Sequence, residues 1–187
     1  IDNGWKNTHV RYMILSAPFA GVGIFVFYAM QPYLLQLYGN PVAYSVAGLA
    51  AAIVSVAQIV GSLFVNHTRR LFRTRTAVLI VSLIVTVIAI AVLGLVHNFW
   101  VAIAMMIVWG LTFSIVMPVR QAYLNGLIKS EHRATVLSFD ALLDSSGGAI
   151  TQPGLGKIAD ARGYGPAFLV SAIIQAGAIP FLLIARK

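Results

Sequence analysis

The chain of 187 residues is 59% hydrophobic and only 10% charged, with a mean hydropathy of +0.88. Soluble domains are roughly one quarter charged, so this composition excludes an ordinary soluble fold. The net charge of +8 does not indicate nucleic-acid binding, because the basic residues form short clusters between long apolar runs, as in membrane loops. The absence of cysteine excludes disulfides and thiolate metal sites.

Six stretches of the chain are long and apolar enough to cross a bilayer as helices, which takes about 20 mostly apolar residues. In chain order they are roughly 12–37, 44–65, 76–96, 99–123, 134–155 and 166–184. The sequence therefore predicts an all-α membrane protein with six transmembrane helices, in one unit covering residues 1–187.

The basic residues of the loops predict how these spans are oriented. Ten of the thirteen lysines and arginines lie before the first span or after the second, fourth and sixth spans. They are Lys6, Arg11, Arg69, Arg70, Arg73, Arg75, Lys129, Arg133, Arg186 and Lys187. On the other side, only Lys157 and Arg162 are present. By the positive-inside rule we expect a multi-pass protein of the cell (inner) membrane with both ends of this segment cytoplasmic.

Polar chemistry is confined to four of the six spans. The third and sixth spans are almost uniformly apolar, so we expect them to face lipid as outer supports. The first, second, fourth and fifth contain Tyr28, Gln31, Gln58, Trp109, Arg120, Asp140 and Asp144. Prolines and paired glycines in the first, fourth and fifth spans predict interrupted helices around a cavity, because broken helices are tolerated where a cavity or a neighbour satisfies the backbone.

Asp144 is the strongest candidate for mechanism. It lies about ten residues beyond the basic loop, hence about 15 Å deep at 1.5 Å per residue, close to the bilayer midplane. A carboxylate at that depth costs several kcal/mol unless it is protonated, paired or wetted. We expect Asp144 to couple transport to protons; the alternative is a carboxylate that fixes helix packing.

The remaining candidates form two groups. Arg120 and Asp140 should lie at similar depths on neighbouring helices, where they could form an ion pair that acts either as a gate or as a static strut. Four uncharged or aromatic side chains would suit a substrate pocket, although each alone is also a normal packing residue. They are Tyr28, Gln31, Gln58 and Trp109. The four histidines lie in or near loops, so no metal site and no cofactor are expected.

Several segments resemble one transporter family. The segment 118–139 is similar to the join between the tenth and eleventh helices of major facilitator superfamily transporters, and 30–34 to a seventh-helix pattern. Gly61, Arg69 and Arg70 match part of the loop signature of that family, and Gly156, Asp160 and Gly163 match a second copy. The resemblance covers the whole chain. It implies the C-terminal six-helix half of a twelve-helix protein, built as a 3+3 inverted repeat, with a central cavity lined by its seventh, eighth, tenth and eleventh helices.

The resemblance implies secondary active transport of a small solute by alternating access, with an N-terminal six-helix half of the same transporter as partner. We expect proton-coupled efflux of a drug-like or metabolite compound; sugar or organic-acid uptake is the alternative. A non-transporting six-span protein, complete in itself, is a further alternative, against which the start at Ile1 argues. Asp140 and Asp144 could also be an acid/base pair of a membrane enzyme, but no catalytic motif accompanies them, so no enzyme is expected.

Overall fold

The computed structural model describes residues 7–72 and 74–186, with the side chains of residues 66–70 excepted, and all regular structure in these ranges is helical. The helices are α1 (Thr8–Gly21), α2 (Phe25–Tyr38), α3 (Tyr44–Leu71), α4 (Arg75–Leu95), α5 (Phe99–Leu127), α6 (Arg133–Arg162), α7 (Tyr164–Ala176) and α8 (Ala178–Ile184). Short 3₁₀ turns, Val22–Ile24 and Ser130–His132, precede α2 and α6.

Local chemistry fixes where several helices begin. The side chains of Asn7, Thr74 and Asn98 accept hydrogen bonds from backbone N–H groups at the starts of α1, α4 and α5. These side chains satisfy donors that have no partner within the helix. These caps therefore mark the residues at which α1, α4 and α5 begin.

The helix interruptions differ from those that the prolines predict. The first span is interrupted, by the 3₁₀ turn between α1 and α2, but α5 and α6 run unbroken through Pro118 and Pro153. The prediction of broken fourth and fifth spans is therefore wrong. A proline removes one backbone hydrogen bond, and a helix packed on both sides of it continues. The sixth span is instead divided at Gly177, between α7 and α8.

Five helical segments within the described ranges are long and apolar enough to cross a membrane. They are Thr8–Tyr38, Tyr44–Val65, Arg75–Leu95, Phe99–Leu127 and Tyr164–Ile184. The remaining long helix, α6, has 30 residues but is less apolar, because it is rich in serine, glycine and charged side chains. Most of α6 is not buried in the described bundle, and the apolar side chains of Leu142 and Ile150 on it are exposed.

The helices form one bundle with two hydrophobic clusters. α3 packs on α5, α4 lies between α5 and α7, and α1 packs on α6 and α8. One cluster, with Phe25, Trp109 and Phe168, lies toward the loop between α2 and α3, and the other, with Met13 and Val119, lies toward the two ends of the chain. Polar side chains are thus left for the middle of the bundle.

Two glycines bring α1 and α6 into direct backbone contact. A Cβ atom added at Gly21 would overlap the backbone carbonyl of Asp144, and one at Gly147 would overlap that of Pro18. Only glycine allows two helix backbones to approach this closely. α1 and α6 therefore touch without a side-chain layer between them.

The predicted orientation can be tested by cysteine labelling. Of the basic residues that predict it, Lys6, Arg73 and Lys187 lie outside the described residues, as do the side chains of Arg69 and Arg70. His97, between α4 and α5, and Glu131, between α5 and α6, are exposed at opposite ends of the bundle. In a cysteine-free chain, an impermeant maleimide added outside intact cells should label His97→Cys and not Glu131→Cys.

Labelling after cell lysis should reach both cysteines and serves as the control. The reverse pattern on intact cells, with Glu131→Cys labelled and His97→Cys protected, would contradict cytoplasmic ends. The positive-inside rule would then not govern this chain.

Candidate functional site

A cavity of about 390 Å³ lies in the middle of the bundle, between the two hydrophobic clusters. Its walls come from α1, the turn after it, Tyr28 of α2, α4, α5, α6, Gln175 of α7 and Leu182 of α8. Most of the wall is apolar, with Leu79, Leu83 and Val116 among its members. The volume falls within the range of about 300–1,000 Å³ that is typical of small-molecule sites.

The helices around the cavity are not the set that was expected. α4 and the sixth predicted span contribute to the wall, whereas none of the described side chains of α3, in the second predicted span, lines it. The prediction that the third and sixth spans stand outside the cavity is therefore wrong for this site. α4 has a buried face as well as a lipid face, because its small hydroxyl groups point inward; Thr86, for example, donates to Thr112 of α5 at 2.8 Å.

Asp144 of α6 lines the cavity and is half-buried. Its side chain forms no hydrogen bond and no ion pair with any other residue in the described ranges. Its backbone lies against Gly21, which sets the position of the Asp144 Cα in the wall. A carboxyl group without a partner in the described part of the chain is available to a proton or to a cationic ligand.

Asp140, one turn away on the same helix, is in the opposite situation. Its two carboxylate oxygens accept from Arg120 Nε at 2.8 Å and from Arg120 Nη2 at 2.6 Å, and both side chains are buried. The two side chains that the sequence pairs are thus in contact. This bidentate pair, with two parallel charge-assisted hydrogen bonds, is the strongest interaction that arginine and a carboxylate form.

Arg120 also ties in a third helix. Its guanidinium donates to the Met13 carbonyl at 2.6 Å and to Ser16 Oγ at 3.1 Å, both on α1. Ser16 in turn donates to the Met13 carbonyl at 2.6 Å. The cluster of Arg120, Asp140, Ser16 and Met13 therefore joins α1, α5 and α6 beside the cavity.

The four predicted substrate-binding residues are not brought together. Tyr28 lines the cavity, with a side chain that is largely exposed. Gln31 is exposed on α2, Gln58 lies on α3 against Gly110 of α5, and neither lines the cavity. Trp109 is fully buried and stacks on Phe113 with a centroid distance of 5.1 Å. Of these two rings, Phe113 lines the cavity and Trp109 does not.

Two glutamines that the sequence did not single out do line the cavity: Gln152 of α6 and Gln175 of α7. Gln175 is the one amide of an otherwise apolar span, and it donates through Nε2 to the Ala20 carbonyl at 3.2 Å. A single amide in an otherwise apolar transmembrane helix is costly unless it forms a hydrogen bond. This cost was the signal in the sequence that could have identified Gln175. Gln152 stands eight residues after Asp144, a spacing that keeps both near one helix face.

Long apolar helices around a ligand-sized cavity, whose mostly apolar wall includes a few polar side chains, are typical of a multi-pass membrane protein. The profile of the Major Facilitator Superfamily matches residues 13–187, and the chain belongs to this superfamily. The resemblance found in the sequence is thereby confirmed, and the function class is membrane transport. Comparison with curated proteins gives no match.

Proposed function

We propose that the chain is the C-terminal half of a proton-coupled antiporter that exports a small cationic or amphipathic compound. One observation carries this proposal: of two carboxylates one turn apart, Asp140 is paired with Arg120, while the Asp144 side chain lines the cavity and has no partner among residues 7–72 and 74–186. An unpaired carboxylate at membrane depth is expensive and is expected to have a ligand.

Exchange of protons for cations follows if Asp144 is the binding group for both. A proton on Asp144 removes the charge that would hold a cation, and a bound cation excludes the proton. The two are therefore bound alternately, as antiport requires, whereas symport requires both to be bound together. With protons entering down their gradient, the cation leaves the cell.

The cavity wall supports an amphipathic cation as substrate. Apolar side chains and the rings of Tyr28 and Phe113 would pack against the body of such a compound, and Asp144 would neutralise its charge. Arg120 is occupied by Asp140 and so does not offer an anion site. Organic acids would meet an unpaired negative charge, and uptake of such acids is therefore not favoured.

The Arg120–Asp140 pair is proposed as the inner gate of this cavity. It lies on the side of the cavity toward the chain ends, which the loop charges predict to be cytoplasmic, and it joins three helices that must separate for the cavity to open there. In this proposal the chain has six spans in a 3+3 arrangement, and α6 is the fifth span. An N-terminal six-helix half completes the transporter.

The competition between proton and cation gives a direct test. Binding of a transported organic cation to the purified transporter in weakly buffered solution should release protons, measured with a pH-sensitive dye. The apparent Kd of the cation should rise as the pH is lowered, because a growing fraction of Asp144 is protonated. Asp160→Asn, an exposed carboxylate on the same helix, is the control and should leave both results unchanged.

Cation binding without proton release, with a Kd independent of pH, would contradict the shared site. Transport of organic anions but not of cations would contradict the substrate class.

A further inference from the structure

The two helices of the first span are held in the bundle in different ways. α1 is fixed by polar and backbone contacts, since Arg120 donates to the Met13 carbonyl and Gly21 lies against the backbone of Asp144. In α2, Tyr33 is the one residue whose side chain forms a hydrogen bond with another helix in the described part of the chain. Apart from this residue, α2 is held by apolar packing.

The Tyr33 hydroxyl lies at the C-terminal end of α4. It is 2.9 Å from the Leu93 carbonyl oxygen and 2.6 Å from the Val96 carbonyl oxygen. Carbonyl groups at the end of a helix have no N–H partner within the helix, and no backbone N–H in the described ranges donates to either of these two. Because a tyrosine hydroxyl has one hydrogen, it donates to one carbonyl at a time. The hydroxyl therefore supplies a donor that the end of α4 lacks.

The ring of Tyr33 packs against aromatic side chains of α7. Phe168 and Tyr164 contact it edge-on, with centroid distances of 5.1 and 6.0 Å, and the Tyr33 side chain is buried. Tyr33 thus joins α2 to both α4 and α7. It stands five residues beyond Tyr28 of the cavity wall, about 7.5 Å farther toward the loop between α2 and α3. It therefore lies on the opposite side of the cavity from the buried ion pair of the inner gate.

We propose that the Tyr33 hydroxyl is a latch, which holds α2 against α4 and α7 and keeps the cavity closed on the side of the loop between α2 and α3. Release of this hydrogen bond lets α2 swing about the 3₁₀ turn Val22–Ile24 that joins it to α1. The latch rests on the alternating access of the proposed function. One neutral hydrogen bond shifts an equilibrium by about fivefold, which favours closure of this side and still lets it open in every cycle.

Tyr33→Phe removes the hydroxyl and keeps the ring, so it tests the latch alone. The reporter is Ala149→Cys, at an exposed position of the cavity wall, in the full transporter without other cysteines. An impermeant maleimide added outside should label this cysteine about fivefold faster in Tyr33→Phe, because the outer side is open for a larger fraction of the time. Labelling from the cytoplasmic side, in inverted vesicles, should not become faster.

Tyr38→Phe is the matched control. Tyr38 is also on α2, and its ring also contacts a phenylalanine, Phe99 of α5, but its hydroxyl has no hydrogen-bond partner within residues 7–72 and 74–186. This variant should leave both labelling rates unchanged. Tyr33→Leu, which removes the ring contacts as well, should be labelled from outside faster than Tyr33→Phe.

An unchanged outside rate in Tyr33→Phe would overturn the latch. Equal acceleration from both sides would also overturn it, because that result indicates general loosening of the fold. Labelling needs neither substrate nor protons, so a failed latch leaves the proton-release test of the proposed function untouched. A cysteine that is labelled from one side only in every variant would contradict alternating access itself, and the latch with it.

Discussion

Replacement of Asp144 by asparagine should reduce gradient-driven transport to the background rate while leaving part of the energy-independent exchange of substrate intact. The amide has the shape of the protonated carboxyl group but can neither release a proton nor carry a charge. The carrier can therefore still cycle with substrate, but no proton movement is coupled to the cycle. Uphill uptake into inverted vesicles and counterflow in proteoliposomes measure the two activities separately.

Asp160→Asn is the control for this substitution, since Asp160 is an exposed carboxylate near the end of the same helix. It should retain both activities. Uphill transport by Asp144→Asn at the normal rate, with unchanged pH dependence, would show that Asp144 serves packing and that coupling occurs elsewhere.

The second large effect concerns the buried pair of Arg120 and Asp140. Asp140→Leu or Arg120→Leu alone leaves one buried charge without its partner, at a cost of about 3–5 kcal/mol. Arg120 stripped of Asp140 keeps only the Met13 carbonyl and Ser16, and it cannot lose its charge. The double variant carries no buried charge and should be more stable and more active than either single variant.

Thermal unfolding and transport rate of the two single variants and the double variant complete the cycle. The same changes at Asp160 and Arg162, which are exposed on the same helix, are the control and should be close to additive. Additive losses at Arg120 and Asp140 would contradict a coupled pair. A double variant that regains stability but only part of the transport rate is expected for a gate, whereas one that transports at the wild-type rate would identify a strut.

The level of a residue along its helix could be predicted from the sequence, but the side of the helix on which it faces the cavity could not. Counting residues from the loops places Arg120 and Asp140 at one level, because the rise per residue is constant. Which side of a helix faces the cavity depends on its neighbours, and for Gln58 and Trp109 the polar or aromatic type gave no guide. Trp109 is buried against Phe113, and Gln58 lies on the helix that does not reach the cavity.

The course of the helices was predicted only in part. The turn after α1 coincides with a glycine-rich stretch flanked by Pro18 and Pro32, but Pro118 and Pro153 lie within continuous helices. A proline allows a break without requiring one, and tertiary packing decides between the two outcomes. Gln175 was overlooked because one amide among apolar residues looks incidental until its acceptor, the Ala20 carbonyl, is known.

The direct contact between Gly21 and Asp144 has a mechanical consequence. Side chains between helices act as a layer that can rearrange when one helix shifts, and here that layer is missing, so backbone presses on backbone. Gly21 immediately precedes the turn that divides the first span. Because no side chain can yield between the two backbones, a tilt of the first span at that turn displaces the α6 backbone at Asp144 and with it the cavity wall.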